Sequence, residues 1–217
     1  MSAPLLDRIR DVGVIPVIRA SSADTAELVA AALADAGLTV IEITMTVPGA
    51  LTAIQSAVKR LGAHAVVGAG TVTTPDMANQ AIDAGAAFLV TPALALGVIT
   101  AARGRGVPVI AGALTPTEIM TAVDAGADWV KIFPASALGG PAYLRALKGP
   151  FPGLSLVPTG GVALESVGPY LQAGAAAVGV GGELIQPAAM KQGDFPAITA
   201  LARQFLDAVR AARTHAS

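Results

Sequence analysis

One short pattern recurs along this 217-residue chain and constrains its fold more than any other feature. In each copy an alanine-rich segment ends at a glycine, and a short apolar run rich in β-branched residues follows. Glycine adopts the left-handed conformation that ends a helix, and such a run is typical of a strand buried on both faces. The pattern predicts repeated helix–strand units, whose clearest copies are LADAGLTVIEI (33–43), AIDAGAAFLV (81–90), AVDAGADWVK (122–131) and LQAGAAAVGV (171–180).

The spacing of the helix-ending glycines gives the size of the unit. Gly37, Gly62, Gly85, Gly106 and Gly126 follow one another at intervals of 25, 23, 21 and 20 residues. Each interval is long enough for one strand and one helix. Helix starts fall between these stops, because a serine or threonine cap is a start signal, strengthened when proline follows it. The predicted caps are Ser22, Thr74 before Pro75, and Thr115 before Pro116.

Eight predicted strands alternate with helices. Strict alternation implies a parallel sheet, and eight units in one compact chain favour a closed (β/α)8 TIM barrel over an open doubly wound sheet. We expect a single α/β domain over residues 1–217, with an N-terminal helix and a last helix over 195–212. The predicted strands are 13–19, 39–45, 65–71, 87–91, 108–113, 128–133, 154–159 and 176–180.

The composition limits the possible partners. Hydrophobic residues make up 53% of the chain, charged residues make up 13%, and the net charge is −1, so neither nucleic acid nor an anionic membrane is an expected partner. The apolar runs are short and interrupted by Gly, Pro and Asp, and the N-terminus lacks a basic start before a long apolar stretch. We therefore expect no membrane span and no secretory signal, but a soluble cytoplasmic protein.

No residue pattern indicates a metal or a cofactor. Cysteine is absent, which excludes disulfides, thiolate metal sites and a cysteine nucleophile. His64 and His215 have no ligand spacing with another histidine, and GAGTV (68–72) lacks the full glycine pattern of a nicotinamide-binding loop. We expect no cofactor, and metal-dependent aldolase or epimerase chemistry is disfavoured.

A lysine interrupts one of the apolar strands, in the segment WVKIFPA (129–135). Because strand side chains alternate, Val130 and Ile132 share one face and leave Lys131 on the other. β-Branched residues suit packing against outer helices. Lys131 is therefore predicted to point into the barrel near its C-terminal end, where barrel active sites form. The alternative is a lysine on a solvated sheet edge.

The same alternation places further polar side chains at this end of the barrel. Glu42 is predicted to face inward, and Arg19 ends the first strand. The structural alternatives are an ion pair of Glu42 with Lys131 or Arg19, an Arg19 over solvent, and threonines that are ordinary strand residues. The predicted polar rim consists of Arg19, Glu42, Thr71, Thr91, Lys131 and Thr159.

A lysine and a carboxylate in apolar surroundings support a specific chemistry. Burial lowers the pKa of a lysine and makes it an amine nucleophile near neutral pH, for which a carbonyl is the natural electrophile. The resulting iminium is an electron sink that permits bond cleavage β to the original carbonyl carbon, and Glu42 can move the protons, directly or through water. An ion pair with Glu42 would raise the pKa of Lys131, so the sequence leaves the net shift open.

Two glycine-rich turns, PTGGV (158–162) and VGVGGEL (178–184), follow the last two predicted strands. Barrels commonly bind phosphate at these loops through backbone N–H groups, which glycines allow to approach closely. The alternative is a pair of simple turns, and a third pair, Gly139–Gly140, is either a turn or the start of the same site. The predicted phosphate site consists of Thr159, Gly160, Gly161, Gly181 and Gly182.

The chain resembles the family of 2-keto-3-deoxy-6-phosphogluconate (KDPG) and 4-hydroxy-2-oxoglutarate (KHG) aldolases over roughly residues 5 to 210. This resemblance implies a metal-free class I aldolase with a (β/α)8 barrel, usually a homotrimer, whose partners are small-molecule substrates. The likeness lies in VIEITMTVPGA, VVGAGTV, FLVTPAL, WVKIFPASALGG, LKGPFPGLSLVPTGGV and VGVGGEL.

The resemblance also implies roles for single residues. Lys131 corresponds to the Schiff-base lysine, Glu42 to the general acid/base, and Thr71 to a threonine that helps to hold the pyruvate carboxylate. The remaining matches are the pocket-wall residues Pro92 and Phe133 and the phosphate-loop glycines Gly160 and Gly161.

Two positions depart from the family pattern. Many members bind the substrate carboxylate with an arginine four residues after the glutamate, where this chain has Thr46, and a hydroxyl cannot replace a bidentate guanidinium. We hypothesise that Arg19 supplies this cation beside Thr46 and Thr71, as an arginine at the end of the first strand also occurs in galactonate-type aldolases. Glu183 stands where many members have a serine near the phosphate, and it would repel phosphate unless it turned toward the backbone N–H groups of the following helix.

The expected activity is reversible cleavage of KDPG to pyruvate and glyceraldehyde 3-phosphate, with KHG, which yields pyruvate and glyoxylate, as a further substrate. The near alternative is the galactonate epimer of KDPG. An alternative from another class is a non-catalytic barrel that binds a phosphometabolite. A relative of the thiazole or thiamine-phosphate synthases would leave Lys131 and Glu42 unexplained.

Overall fold

The computed structural model describes residues 3–214, which contain ten α-helices and eight β-strands. In chain order these are α1 (Ala3–Val12), β1 (Val14–Ile18), α2 (Ala23–Asp35), β2 (Val40–Thr44), α3 (Ala50–Leu61), β3 (Val66–Gly70), α4 (Pro75–Asp83), β4 (Leu89–Val90), α5 (Leu96–Gly104), β5 (Val109–Ala113), α6 (Pro116–Asp124), β6 (Trp129–Ile132), α7 (Pro141–Lys148), β7 (Leu156–Pro158), α8 (Val167–Gln172), β8 (Val178–Val180), α9 (Pro187–Gln192) and α10 (Phe195–Thr214).

The strands form one parallel sheet that curves into a barrel. Their order is β7-β6-β5-β4-β3-β2-β1-β8. The ends of the sheet meet, since β7 and the segment around β8 share the parallel bridges Leu156–Ala175 and Thr159–Gly179. This confirms the predicted (β/α)8 barrel with its N-terminal helix, and the open doubly wound alternative is wrong. All predicted strands are present, but most are shorter by one or two residues at an end, where the chain leaves the hydrogen-bonded ladder for its loop.

The helix stops are formed by the predicted glycines. Gly85, at φ 99°, follows α4, and Gly126, at φ 92°, follows α6. At α4 the N–H groups of Gly85 and Ala86 donate to the carbonyls of Ile82 and Ala81, both at 2.9 Å. This is the Schellman arrangement, which requires a residue that tolerates the left-handed region. The recurring sequence pattern is thus a recurring helix end.

The predicted helix starts are also present. The Ser22 hydroxyl accepts from Thr25 N–H and the Thr74 hydroxyl from Met77 N–H, both at 3.2 Å. At α6, Thr115 forms a capping box with Glu118, and these hydrogen bonds, first that from the Thr115 N–H, lower the pKa of the Glu118 carboxyl. Local sequence therefore specifies both ends of several barrel helices.

Two apolar layers surround the strands. Val130 and Ile132 belong to the outer layer between sheet and helices, as their alternation predicts. The barrel interior holds a separate cluster that includes Phe88 and Trp129, and Ile9 of α1 joins it. Arg8, also on α1, donates to the His64 carbonyl and to the Thr39 hydroxyl, which precede β3 and β2. Helix α1 thus closes the N-terminal end of the barrel, and polar inward-facing residues gather at the opposite end.

Within residues 3–214, no helix combines the length and the apolar character needed to cross a bilayer.

Candidate active site

Lys131 lies inside the barrel on β6. It pairs in register with Gly112 of β5 and Val157 of β7, and only 2% of its surface is exposed. Its ammonium nitrogen lies 5.2 Å from the centroid of the Phe133 ring. The alternative of a lysine on a solvated sheet edge is therefore wrong. A buried amine in a protein of few charges needs a specific reason for its position.

Glu42 of β2 faces the same interior and is equally buried, at 2% exposure. Its Oε1 atom is enclosed and forms no hydrogen bond with any residue in the range 3–214. Neither Lys131 nor Arg19 forms an ion pair with it among the described residues, so the purely structural ion-pair interpretation is wrong. Buried carboxylates normally have hydrogen-bond partners, and an unpaired one is a candidate for transient partners during a reaction.

Burial shifts the pKa of both groups toward their neutral forms. The pKa of Lys131 falls below its ordinary value of 10.5 chiefly because the interior desolvates the ammonium; the Glu42 charge opposes this shift and the Arg19 charge adds to it. The pKa of Glu42 rises above 4.5 because of burial, opposed by the charges of Lys131 and Arg19. Burial thus favours the uncharged form of each group.

Arg19 follows β1 at the rim of the site. It is exposed, and its Nη1 atom lies 3.0 Å from the point that a Cβ on Gly181 would occupy. Its guanidinium forms no hydrogen bond or ion pair with another residue in the described part of the chain. Its charge nevertheless influences both Lys131 and Glu42. A guanidinium free of protein partners is available for an anionic ligand.

A cleft of about 400 Å³ opens at this end of the barrel. Both predicted glycine turns border it, and Gly160 and Gly161 have φ of 90° and 68°, so the backbone there needs glycine. The cleft is lined by Val17, Arg19, Phe133, Thr159, Gly160, Gly161, Gly181, Gly182 and Glu183.

Glu183 introduces a negative charge into this cleft. It is exposed, and its carboxylate makes no hydrogen bond or ion pair with any residue between 3 and 214. The carboxylate therefore does not turn toward the backbone N–H groups of the next helix, which was the condition for it not to repel a phosphate. Gly139 and Gly140, at φ 99° and 60°, form a turn that leads into α7 and do not line the cleft.

The threonines of the predicted rim differ in their surroundings. Thr91 is fully buried, and its hydroxyl donates to the Ala93 carbonyl at 2.7 Å and accepts from Gly112 N–H at 2.8 Å, which ties β4 to β5. Thr159 borders the cleft and donates to the Val157 carbonyl at 3.3 Å. Thr91 is therefore a structural residue.

Thr46 and Thr71 lie nearer to the open end. Thr46 is exposed and shares a 2.8 Å hydrogen bond with Thr44. Thr71, directly after β3, has φ of 57°, which is an outlier for a β-branched residue. Such strain concentrates at functional positions, because the surrounding structure must impose it. Pro92 follows Thr91 and is half-buried beside Gly112.

Two glycines that the sequence does not single out make room for this site. A Cβ on Gly70 would fall 1.7 Å from Oε1 of Glu42, and a Cβ on Gly112 would fall 2.5 Å from the backbone of Pro92 and Ala93. A glycine inside a strand signals such a close approach, but the sequence does not say what approaches.

Among residues 3–214, no three His, Cys, Asp or Glu side chains are grouped as metal ligands. His64 lies at the opposite end of the barrel, where its carbonyl accepts from Arg8. His215 lies outside the described residues. No described cluster therefore offers the ligand set of a metal centre.

A closed (β/α)8 barrel with a buried amine and a buried carboxyl at the end where a glycine-rich cleft opens defines a class of enzymes that act on carbonyl compounds. The comparisons with known proteins agree. The model of the family described as "KDPG and KHG aldolase" matches residues 5–201. The chain belongs to this family. Its named members are aldolases, which are lyases, so the chain is an enzyme of that class.

Individual relatives cover most of the chain. The 2-dehydro-3-deoxy-phosphogluconate aldolase of Treponema pallidum (strain Nichols) is 38% identical over 205 residues, which are 94% of this chain and 95% of the relative. The 2-dehydro-3-deoxy-6-phosphogalactonate aldolase of Escherichia coli (strain K12) is 37% identical over 171 residues, 78% of this chain and 83% of the relative.

The solved structure of one relative contains a covalent intermediate. The KDPG aldolase from Legionella pneumophila, with pyruvate captured at low pH as a covalent carbinolamine, superposes with a TM-score of 0.82 at 32% identity. The alignment covers 88% of this chain and 92% of that chain.

Proposed function

We propose that this chain is a class I aldolase that reversibly cleaves KDPG to pyruvate and glyceraldehyde 3-phosphate, with KHG as a further substrate. One observation carries the proposal: Lys131 is buried at the catalytic end of the barrel, with its pKa lowered by desolvation, beside an unpaired Glu42. A lowered pKa increases the uncharged fraction of the amine, which is the nucleophile that Schiff-base chemistry requires. The pyruvate carbinolamine of the Legionella relative supports the same assignment.

The reaction follows from these groups. The Lys131 amine adds to the C2 ketone, and the Glu42 carboxyl gives its proton to the departing hydroxyl. Loss of water then gives a protonated imine and leaves Glu42 as a carboxylate. Glu42 accepts the proton of the C4 hydroxyl, directly or through water; the C3–C4 bond breaks, and its electron pair moves into the imine to give an enamine. The aldehyde leaves, the enamine takes a proton at C3, and water then releases pyruvate and free Lys131.

The rim residues position the two ends of the substrate in this proposal. Arg19, Thr71 and Thr46 hold the carboxylate, with Pro92 and Phe133 as pocket walls. The phosphate binds to backbone N–H groups at Gly160, Gly161, Gly181 and Gly182, next to Thr159. Arg19 borders the same cleft as these glycines, so its charge favours anion binding there, whereas the Glu183 carboxylate opposes it.

The galactonate epimer is the second candidate substrate. The E. coli galactonate-type relative, at 37% identity, is nearly as similar as the phosphogluconate-type one at 38%. Kinetics with the two C4 epimers of the substrate separate these candidates. From the family resemblance we further propose a single-domain, cytoplasmic homotrimer that serves the Entner–Doudoroff pathway of carbohydrate metabolism.

Borohydride reduction in the presence of pyruvate tests the mechanism. Reduction of the imine should leave a stable adduct that intact mass and peptide mapping assign to Lys131, and Lys131→Met should abolish it. Lys59→Met, at an exposed lysine of α3, is the matched control and should retain the adduct. A folded wild-type chain that binds phosphorylated sugar acids but forms no adduct would instead be a non-catalytic phosphometabolite-binding barrel.

A further inference from the structure

The carboxylate of Glu42 occupies space that any side chain on the neighbouring strand would need. Thr44 pairs with Gly70 across β2 and β3, and the Glu42 side chain lies against the Gly70 backbone. A Cβ at Gly70 would lie 1.7 Å from Oε1, 2.4 Å from Cδ and 2.7 Å from Cγ of Glu42. All these distances are below 3.0 Å, and real Cβ atoms essentially never come so close to another heavy atom.

The backbone alone does not require glycine at this position. Gly70 belongs to β3 and is absent from the glycines with positive φ, so other residues could adopt its conformation. The next residue, Thr71, is the one in the left-handed region, and it is not glycine. The requirement at Gly70 therefore comes from the side chain that packs on it.

Hydrogen bonds do not hold Glu42 in place. Oε1 has no partner among the described residues, and Lys131 and Arg19 act on the carboxyl at longer range. Most buried carboxylates are oriented by hydrogen bonds. Here the shape of the surface around Gly70 takes over that task.

We propose that Gly70 is a positioning residue of this enzyme. Because Gly70 has no side chain, the Glu42 carboxyl packs against its backbone and is held at the place where it transfers protons. The inference rests on the proposed acid–base role of Glu42. An alanine at this position forces the carboxyl to move by more than about 1 Å, and a misplacement of this size can lower the rate roughly 100-fold.

The same strand supplies a matched control. Gly68 lies two residues earlier, on the same inward face, and a Cβ there would fall 2.4 Å from the Phe88 ring in the apolar interior. Gly68 is the register partner of Glu42, but the atoms nearest to the added Cβ belong to the Phe88 ring, so Gly68→Ala introduces a steric conflict with Phe88 rather than with the Glu42 carboxyl. Both variants should lose thermal stability, but only Gly70→Ala should affect proton transfer.

Exchange of the pyruvate methyl hydrogens with D₂O, followed by proton NMR, reports proton transfer without an aldehyde partner. In Gly70→Ala the exchange rate should fall roughly 100-fold and its pH profile should shift, whereas borohydride should still trap pyruvate on Lys131. Gly68→Ala should exchange at nearly the wild-type rate. Equal exchange rates in the two folded variants would overturn the inference.

Thermal unfolding provides a second measurement that does not depend on activity. If the conflict is with Glu42, Glu42→Ala removes it, so Gly70→Ala should lower the Tm at least twice as much in wild type as in the Glu42→Ala background. If Gly70→Ala alone does not fold, the double variant should. An equal loss of Tm in both backgrounds, or a double variant that fails to fold, contradicts the proposed positioning of Glu42 by Gly70. A wild type with neither adduct nor exchange would refute the proposed function but leave this cycle interpretable.

Discussion

At the scale of the residue, Lys131 and Glu42 are placed where charge is unfavourable. Both are 2% exposed, and no ion pair joins them among the described residues. Desolvation lowers the pKa of Lys131 and raises that of Glu42. The same burial that prepares an amine for attack on a carbonyl therefore reduces the stability of the fold, because the unfolded chain solvates the ammonium freely.

Replacement of Lys131 by methionine should stabilise the protein, increasingly so at lower pH. Above pH 10.5 the lysine is neutral in both states. As the pH falls from there toward the lowered pKa of the folded state, the unfolded chain binds the proton and the folded chain does not. Wild type should thus lose stability relative to Lys131→Met, by up to about 1.4 kcal/mol for each pH unit.

Thermal or urea unfolding of both proteins between pH 7 and pH 10 measures this difference. Lys59→Met is the control and should remain parallel to wild type. A Lys131→Met advantage that stays constant over the whole range would mean that Lys131 keeps its proton in the folded state.

At the scale of the element, the cleft is formed by loops that are remote in sequence. Arg19 follows β1, Gly160 and Gly161 follow β7, and Gly181 follows β8. Because β1 and β8 are paired and β7 adjoins β8, the three loops are neighbours at one end of the barrel. The anion site that we propose on the other two loops therefore has a cation on the first loop as its neighbour.

Arg19→Ala should raise the KM for pyruvate-bearing substrates roughly tenfold to a hundredfold, because a charge-assisted hydrogen bond is lost. The Tm should change little, since the guanidinium makes no hydrogen bond within the described part of the chain. Arg19→Lys keeps the charge without the bidentate geometry, so its KM should lie between those of wild type and Arg19→Ala. Steady-state kinetics that are unchanged in Arg19→Ala would remove Arg19 from the site.

The helices and strands could be predicted because the same local sequence signals recur along the chain. The site could be predicted only in part, because it depends on contacts between elements that are distant in sequence. The helix ends at Gly85 and Gly126 and the caps at Thr74 and Thr115 are local signals, so sequence specifies them. The inward direction of Lys131 follows from strand alternation. In contrast, three features depend on which strands and loops become neighbours. These are the packing of Glu42 on Gly70, the hydrogen bonds by which Thr91 joins β4 to β5, and the exposure of Glu183 to the cleft.

At the scale of the whole molecule, the two ends of the barrel have different tasks. Helix α1 and the interior cluster around Phe88 and Trp129 close the N-terminal end with apolar contacts. Lys131, Glu42, Arg19 and the strained Thr71 lie at the other end. In (β/α)8 barrels this separation allows stability and chemistry to change independently.

Ile9→Ala tests this separation. Ile9 is fully buried in the interior cluster, so the truncation should lower the free energy of unfolding by about 2–5 kcal/mol. Well below the Tm, kcat/KM should stay close to that of wild type, because α1 has no residue in the cleft. Leu138→Ala, at an exposed leucine, controls for a general loss of apolar surface. A loss of kcat/KM in folded Ile9→Ala would show that the two ends are coupled.

The left-handed backbone of Thr71 has a consequence for how this chain can evolve. An L-residue in that conformation costs roughly 1–2 kcal/mol, and a glycine there would avoid the cost. A laboratory selection for heat resistance alone would therefore favour replacement of Thr71, even though we propose that it helps to hold the substrate carboxylate.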